Sequence, residues 1–381
     1  MTKRAKVIAG ILCIGLIVLA AAAVAYGKPQ KAADSTSEEL LTGDEQADAS
    51  DSGTIAYWNE DSPAMLSILA YVEEVTEESS EHYVPPEDRI AVFDFDGTLY
   101  GELFPSYFDH CLLIHRALYD ESYEAPEELR DYAAALEYAH LHREPEPDSD
   151  KSTAQLAAEA FAGMTVEEYR EYVRAFMASP AVGFEEMTYG EGFYKAMTAL
   201  VKYLAEHDFK VFISSGSERA MVRELIEGTL DEWIPSEHVI GSTFSLEATG
   251  QGGKAGRSYS YTAEDQVIME GNLISKNQKT NKVFTIVDEI GKPPVLVFGN
   301  SSGDLAMAQY AIQHGGKAYM LLCDDEERDY GDVGTAEKFA ASCTGMETVS
   351  MKKEFATIYG EEVVKSESGL LQEAEELAPA A

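Results

Sequence analysis

The sequence predicts an α/β protein with a doubly wound parallel sheet and a helical cap inserted after the first core strand. Two observations lead to this prediction. Short, continuously apolar segments alternate with helical patterns, which is typical of parallel strands covered on both faces. The stretch 105–178 differs, because it contains several helical patterns and no strand pattern. We expect this insertion to cover the sheet edge where the first strand ends, since ligands of such sheets bind at strand carboxyl ends.

The elements follow from local patterns along the chain. The four predicted core strands are 90–93, 210–213, 294–298 and 318–322. The predicted core helices are 192–206, 217–227 and 302–313, and the predicted cap helices are 108–120, 127–140 and 166–177. The Gly-rich segment 244–271 alternates Ser and Tyr and is predicted to be a hairpin or a loop.

Composition divides the 381 residues into folded and unfolded parts. Lys3, Arg4 and Lys6 precede a long apolar segment, which is typical of a signal peptide or a membrane anchor whose downstream chain is exported. The predicted parts are a signal peptide or N-terminal membrane anchor at 1–27, a disordered acidic linker at 28–54, an α/β core at 55–101 and 186–362, the helical cap at 102–185, and a disordered tail at 363–381.

Charge and cysteine content limit the classes of partner. The formal net charge is −39, so the chain is not expected to bind nucleic acid or anionic lipid, and membrane contact is expected only through an uncleaved N-terminal segment. Beyond the leader, three cysteines remain, without zinc-binding spacing. Cys323 and Cys343 leave two alternatives open: a disulfide in an oxidising compartment, or unpaired buried thiols.

The strongest chemical signal is Asp94-Phe95-Asp96-Gly97-Thr98-Leu99, directly after the first strand. Two carboxylates spaced i,i+2 at a strand end can both reach the sheet edge, while Gly97 lets the backbone turn away. Because like charges repel, a divalent cation, a shared proton or both must hold them.

Three further segments accompany this motif in the same chain order. They are the strand 211–213 ending in Ser214-Ser215-Gly216-Ser217, Lys282 ahead of a helical pattern, and Phe298-Gly299-Asn300-Ser301-Ser302-Gly303-Asp304. Together the four segments resemble the haloacid dehalogenase superfamily of phosphohydrolases. The segments 57–59, 84–90, 162–165 and 349–352 resemble an exported bacterial subgroup of phosphoserine-phosphatase-like and phosphocholine-phosphatase-like members.

The resemblance implies a role for each motif residue. Asp94 is expected to attack phosphorus and form an aspartyl-phosphate, and Asp96 to act as general acid and base. Ser215, the backbone near Gly216, and Lys282 are expected to bind the transferring phosphoryl group. Lys279 is a weaker rival to Lys282 for this role.

Mg²⁺ is the cofactor that the resemblance implies. The expected ligands are the Asp94 carboxylate, the Asp96 backbone carbonyl, and Asn300 or Asp304 from the fourth motif. This sequence departs from the commonest superfamily pattern at Asn300, whose amide can ligate a cation without adding charge.

Specificity is expected to come from the cap. Glu102, Phe104 and Tyr107 are candidates for a substrate pocket, where aromatic and acidic groups would suit a cationic headgroup, although such residues are often plain cap core.

We therefore expect a Mg²⁺-dependent, extracytoplasmic phosphatase, secreted or anchored by its leader, that acts on a small phosphorylated metabolite as a monomer or small homo-oligomer. Two alternatives stay open. One is a phosphotransferase or mutase that uses the same intermediate on Asp94, and the other is an inactive surface-tethered binding module on the same scaffold.

Overall fold

The computed structural model describes residues 54–366. The predicted leader at 1–27, residues 28–53 of the predicted linker and residues 367–381 of the predicted tail lie outside this range. Within 54–366, no helix combines the length and apolar character needed to cross a membrane. Cys111, Cys323 and Cys343 are free thiols.

A seven-stranded, mostly parallel sheet forms the centre of the described chain. The strands are β1 Ile90–Phe93, β3 Lys210–Glu218, β4 Val239–Ala248, β5 Val267–Ser275, β6 Leu296–Gly299, β7 Lys317–Leu322 and β8 Glu347–Ser350. Their order is β5-β4-β3-β1-β6-β7-β8. Only β5 runs antiparallel to its neighbour, β4. The predicted fold class is therefore confirmed, and 244–271 contributes to the β4–β5 hairpin.

Helices cover this sheet and build the insertion. The core helices are α1 Pro63–Thr76, α6 Lys195–Glu206, α7 Arg219–Leu225, α8 Thr280–Thr285, α9 Leu305–Gln313, α10 Val333–Ala340 and α11 Met351–Glu354. The helices after β1 are α2 Phe108–Ile114, α3 Glu127–Leu141, α4 Thr153–Ala160 and α5 Val166–Met177. A π-helical turn continues α2 through Tyr119, and another continues α8 through Ile290.

The central strands are apolar because both faces are covered. All four residues of β1 are buried, as are all four of β6. The rings of Phe93 and Phe298 stack across these two strands with centroids 4.4 Å apart. Such burial favours a parallel sheet, and it holds β1 between β3 and β6.

Cap helices begin where polar side chains satisfy free backbone N–H groups. Ser152 accepts from the backbone of Gln155 at the start of α4. Thr165 and Glu168 form a reciprocal capping box at the start of α5. These caps fix where each helix begins.

Two features differ from the predicted boundaries. The strand predicted at 210–213 continues to Glu218, whose side chain accepts from Ala220 and Met221 N–H groups and so starts α7 two residues after the predicted 217. In addition, β2 Phe184–Glu185 pairs antiparallel with β9 Val364–Lys365. Residues 363–366 therefore belong to the folded chain, where the sequence predicted the start of a disordered tail.

Candidate active site

The carboxyl ends of β1, β3 and β6 meet at one edge of the sheet. Asp94 follows β1 directly, and its N–H donates to the Phe298 carbonyl of β6 at 2.9 Å. Ser215 lies in the last part of β3, and Asn300 follows β6 directly. Neighbouring parallel strands thus bring three of the four sequence motifs together.

Lys282 brings the remaining motif into the same edge. It lies on α8 with only 2% of its surface exposed. Its Nζ contacts Asp94 Oδ1 and donates to Asp304 Oδ1 at 2.7 Å. Lys279 is exposed and in a left-handed backbone conformation. The geometry therefore places Lys282, and not its rival, beside Asp94.

The two oxygens of Asp96 have different surroundings. Oδ2 accepts from Ser217 Oγ at 2.7 Å. Oδ1 is buried and has no hydrogen-bond partner among the described residues. A buried, unpaired carboxyl oxygen is costly unless it carries a proton or meets a ligand, so this atom is the one available for chemistry.

Ser215 is fully buried within a bonded loop. Its Oγ accepts from Ser217 N–H at 2.9 Å, and its carbonyl accepts from Asn277 Nδ2 at 3.1 Å. The neighbouring Gly216 carbonyl accepts from Ser242 Oγ at 2.5 Å. These bonds hold the segment in a fixed shape beside Asp96, which is the preorganisation a phosphoryl-binding loop requires.

Asp304 is saturated by donors from its own surroundings. Besides the bond from Lys282 to Oδ1, its Oδ2 accepts from Asn300 N–H, Ser301 N–H and Ser301 Oγ at 3.0–3.2 Å. Its carboxylate therefore organises the loop after β6 and anchors Lys282.

The side-chain oxygen of Asn300 faces Thr98. Thr98 Oγ1 lies 3.4 Å from Asn300 Oδ1, while Asn300 Nδ2 donates to Glu102 Oε1 at 2.7 Å. The amide thus has its oxygen toward the first motif and its nitrogen toward the start of the cap.

Burial perturbs the acids of this site. Desolvation, with the charge of Asp304, raises the pKa of Asp94 to about 7, although Lys282 opposes the shift. Desolvation and the charge of Asp109 raise the pKa of Asp96 to about 7. Desolvation also raises the pKa of Glu102 to about 7. Such clustered shifts are typical of functional sites, and a nearby cation would relieve them.

The donor set fits Mg²⁺. Within residues 54–366, no three His, Cys, Asp or Glu side chains are arranged to hold a metal ion. The implied set is of another kind: one carboxylate from Asp94, the backbone carbonyl of Asp96 and the amide oxygen of Asn300. These are oxygen donors on two adjacent loops, and Mg²⁺ needs few protein ligands because it keeps several waters.

The three pocket candidates lie in two places. Glu102 contacts Asn300, and Tyr107 donates to Glu102 Oε1 at 3.4 Å. The Phe104 ring is buried and stacks on Tyr330 with centroids 4.3 Å apart. Phe104 therefore contributes to packing, while the other two border the edge that holds Asn300.

Several residues near the site could hardly be identified from the sequence. Ser217 belongs to the predicted Ser-Ser-Gly-Ser segment, which was its one clue. Asn277 and Lys276 come from the chain after β5, and Asp109 comes from α2. Asp109, Gly216 and Lys276 line a small cavity between cap and core. Their positions depend on tertiary contacts that no local pattern predicts.

A sequence model of the haloacid dehalogenase-like hydrolase family matches residues 91–309, which include all four motifs. The chain belongs to this family. The match runs from β1 to α9, so the whole cap insertion lies inside a haloacid dehalogenase-like hydrolase sequence. No curated protein sequence matches the chain.

Several solved structures are similar to the chain at low sequence identity. A conserved, functionally unknown protein from Anaerococcus prevotii DSM 20548 is 15% identical, with 74% of this chain and 91% of that chain covered and a TM-score of 0.44. Cytosolic 5'-nucleotidase IIIB bound to cytidine is 12% identical, with 84% and 94% covered and a TM-score of 0.44. A predicted phosphatase from Clostridium acetobutylicum is 13% identical, with 70% and 95% covered and a TM-score of 0.36. These distant likenesses carry no argument about substrate.

Proposed function

We propose that this haloacid dehalogenase-like hydrolase is a Mg²⁺-dependent phosphatase that cleaves a small-molecule phosphate monoester through an aspartyl-phosphate on Asp94. The observation that carries the proposal is the convergence of Asp94, Asp96, Ser215 and Lys282 at one sheet edge. A nucleophile, an acid, a hydroxyl and a buried cation are the groups that phosphoryl transfer needs.

The first half-reaction forms the covalent intermediate. An Asp94 carboxylate oxygen attacks phosphorus as the ester P–O bond breaks, and the leaving alkoxide takes the proton from Asp96 Oδ1. Lys282 offsets the negative charge on Asp94 and the phosphoryl oxygens, while Ser215 and nearby N–H groups orient those oxygens.

The second half-reaction releases phosphate. Asp96, now ionised, takes a proton from a water that attacks phosphorus, the Asp94–phosphorus bond breaks, and the carboxylate is restored. The raised pKa of Asp96, about 7, lets the same carboxyl give and take a proton near neutral pH.

Asp94, the Asp96 carbonyl and Asn300 would hold Mg²⁺, which supplies charge neutralisation for the phosphoryl group when bound. Asn300 is favoured over Asp304 as the ligand, because Asp304 Oδ2 already accepts three hydrogen bonds and its Oδ1 accepts from Lys282, whereas Asn300 Oδ1 accepts only one, from Thr98 Oγ1 at 3.4 Å. Asp304 then acts by holding Lys282.

The proposed substrate is a small phosphorylated metabolite outside the cytoplasm, reached by a secreted or membrane-anchored enzyme. The basic and apolar N-terminal residues support this location. The acidic Glu102 and aromatic Tyr107 beside Asn300 support a cationic alcohol, such as those of the phosphoserine-phosphatase-like and phosphocholine-phosphatase-like subgroup.

The test is phosphate release by the purified full-length chain from an aryl phosphate and a panel of alkyl monoesters, with Mg²⁺ and with chelator. We expect metal-dependent turnover in the wild type. Asp94→Asn should reduce turnover at least about a thousandfold, because the amide cannot attack phosphorus. Asp88→Asn, which removes a partly exposed carboxylate, is the matched control and should keep wild-type activity.

Two results would redirect the assignment. Phosphate transfer to an added alcohol in place of release would favour the phosphotransferase or mutase alternative. A folded wild type without turnover on any ester would favour a binding module. Retained activity in Asp94→Asn would exclude the covalent mechanism.

A further inference from the structure

The Asn300 amide is tied to a carboxylate that the family motif does not contain. Glu102 lies three residues beyond the DFDGTL segment, at the start of the chain that leads into the cap. Its Oε1 accepts from Asn300 Nδ2 at 2.7 Å across 198 residues of sequence. This bond determines that the amide oxygen faces Thr98 of the first motif, because an Asn side chain can otherwise present either its oxygen or its nitrogen.

Gly97 leaves the space in which this pair sits. Its φ of +76° lies in the left-handed region, and a Cβ there would come within 2.0 Å of Asn300 Nδ2 and 2.9 Å of Glu102 Oε1. The Asn300–Glu102 pair therefore packs directly on the turn that follows the two catalytic aspartates. The requirement for glycine at this turn comes from contacts as well as from backbone conformation.

The pair also affects the charge of the proposed cation site. An amide oxygen at position 300 can ligate a cation but adds no negative charge to the site. Glu102, hydrogen-bonded to that amide, places a carboxylate in direct contact with the ligand. Outer carboxylates that bond a ligating group orient it and tune the metal, and their loss typically costs about 10- to 100-fold in metal affinity.

We infer that Glu102 and Asn300 act as one unit of the cation site, in which Glu102 is a positioning residue that orients the Asn300 oxygen inward and supplies the charge that an amide lacks. This inference rests on the proposed function, since it assigns Asn300 to the Mg²⁺ site. This role of Glu102 is in addition to the recognition of a cationic headgroup proposed above.

The test is a double-variant cycle read out by Mg²⁺ binding. Isothermal titration calorimetry on the full-length chain, in excess monovalent salt to screen diffuse binding to an acidic protein, measures affinity without any substrate. We compare wild type, Glu102→Gln, Asn300→Asp and the double variant. Glu102→Gln should weaken Mg²⁺ binding by about tenfold or more. In the Asn300→Asp background, Glu102→Gln should weaken Mg²⁺ binding less than about threefold. The carboxylate introduced at position 300 then carries the negative charge, and the amide introduced at position 102 donates a hydrogen bond to it.

Asp329→Asn is the matched control. Asp329 is a buried carboxyl whose charge acts on Glu102, but it accepts from the hydroxyls of Tyr194 and Tyr359 and not from Asn300. It should weaken Mg²⁺ binding clearly less than Glu102→Gln. If Asp329→Asn weakened Mg²⁺ binding as much as Glu102→Gln, Glu102 would act only through its charge and not through its bond to Asn300, and the inference would be overturned. Circular dichroism and unfolding curves establish that each variant is folded, and Glu102→Asp provides a second variant if Gln is not tolerated.

The outcomes separate this inference from the proposed function. If Glu102→Gln lowers the Mg²⁺ affinity equally in both backgrounds, or does not lower it in the wild-type background, the inference is wrong. Metal-dependent phosphate release by the wild type would still support the phosphatase. If the wild type neither binds Mg²⁺ nor releases phosphate, both are wrong.

Discussion

At the scale of single residues, the two oxygens of Asp96 have separate tasks. Ser217 donates to Oδ2 and so fixes the rotation of the carboxyl group. Oδ1 is left buried and unpaired among the described residues. Because only a correctly aimed proton can meet the leaving oxygen as the ester bond breaks, the Ser217 hydroxyl should matter for acid catalysis without touching the substrate.

Ser217→Ala tests this through the leaving group. A poor leaving group such as an alkoxide depends on protonation, whereas an aryloxide with a low pKa leaves with little help. We expect kcat/KM, which reports the step that forms the aspartyl-phosphate, to fall about 10- to 100-fold with alkyl phosphates, a fraction of a full general-acid contribution, and only about twofold with p-nitrophenyl phosphate.

Ser217→Thr is the control for this variant, because it retains a hydroxyl, and it should restore most of the activity on alkyl phosphates. Equal losses of kcat/KM on both classes of ester would contradict the assigned role and indicate a general disturbance of the loop.

Residue-level prediction from sequence succeeds where a position follows from topology. Asp94 and Asn300 each come directly after a strand, and parallel neighbours end at the same edge, so their approach was predictable. The bonds from Ser217 to Asp96 and from Asn300 to Glu102 cross 121 and 198 residues. They depend on side-chain directions in loops from different parts of the chain, and no local pattern encodes those directions.

At the scale of elements, the cap is joined to the core by strand-like pairing and by charge. The chain between α4 and α5 exchanges backbone hydrogen bonds with Met269 of β5, from Gly163 N–H and to the Met164 carbonyl, each at 2.8 Å. Arg170 and Arg174 of α5 both bond Glu224 of α7, whose side chain is fully buried. These contacts join the cap to β5 and to α7.

The charge cluster formed by Arg170, Arg174 and Glu224 predicts how strongly different variants are destabilised. Replacing Arg170 and Arg174 together by Met leaves Glu224 buried without a partner, which should lower the free energy of unfolding by about 3 kcal/mol or more. Glu224→Gln should cost less, because each arginine keeps more than a third of its surface exposed and can be hydrated. Denaturant unfolding measures both changes.

Glu167→Gln is the matched control for the cluster. Glu167 bonds the same two arginines but is 59% exposed, so its loss should change the free energy of unfolding by at most about 0.5 kcal/mol. A double Met variant as stable as the wild type would show that the charge cluster does not hold the cap.

The elements themselves were largely predictable, and their ends were less so. Apolar runs of four or five residues predicted the central strands because both sheet faces are buried. The extension of β3 to Glu218 was not predictable, since it follows from pairing with β4 across an irregular register. The pairing of β9 with β2 likewise depends on where the chain returns after the last helix, which the acidic composition near residue 363 does not indicate.

At the scale of the whole molecule, acidity and buried carboxyls act together on stability. Desolvation raises the pKa of Asp96 and Glu102 to about 7 and that of Asp329 to about 6, well above the values of these groups in an unfolded chain. Between about pH 4 and 7 the folded chain therefore binds more protons than the unfolded chain. Its free energy of unfolding must fall as the pH rises through this window. The net charge of −39 adds self-repulsion in the same direction.

A bound cation should reverse part of this loss, because it favours the ionised carboxylates. We expect that without Mg²⁺ the free energy of unfolding decreases by a few kcal/mol between pH 5 and pH 8, since one unit of pKa shift is worth about 1.4 kcal/mol. The increase in Tm caused by Mg²⁺ should be several degrees larger at pH 8 than at pH 5, as for any ligand that binds the deprotonated folded form. Glu102→Gln should make the free energy of unfolding without Mg²⁺ less dependent on pH, whereas Glu264→Gln, at an exposed position, should leave its pH dependence unchanged. Equal Mg²⁺-induced shifts in Tm at both pH values would mean that the cation does not neutralise the buried acids.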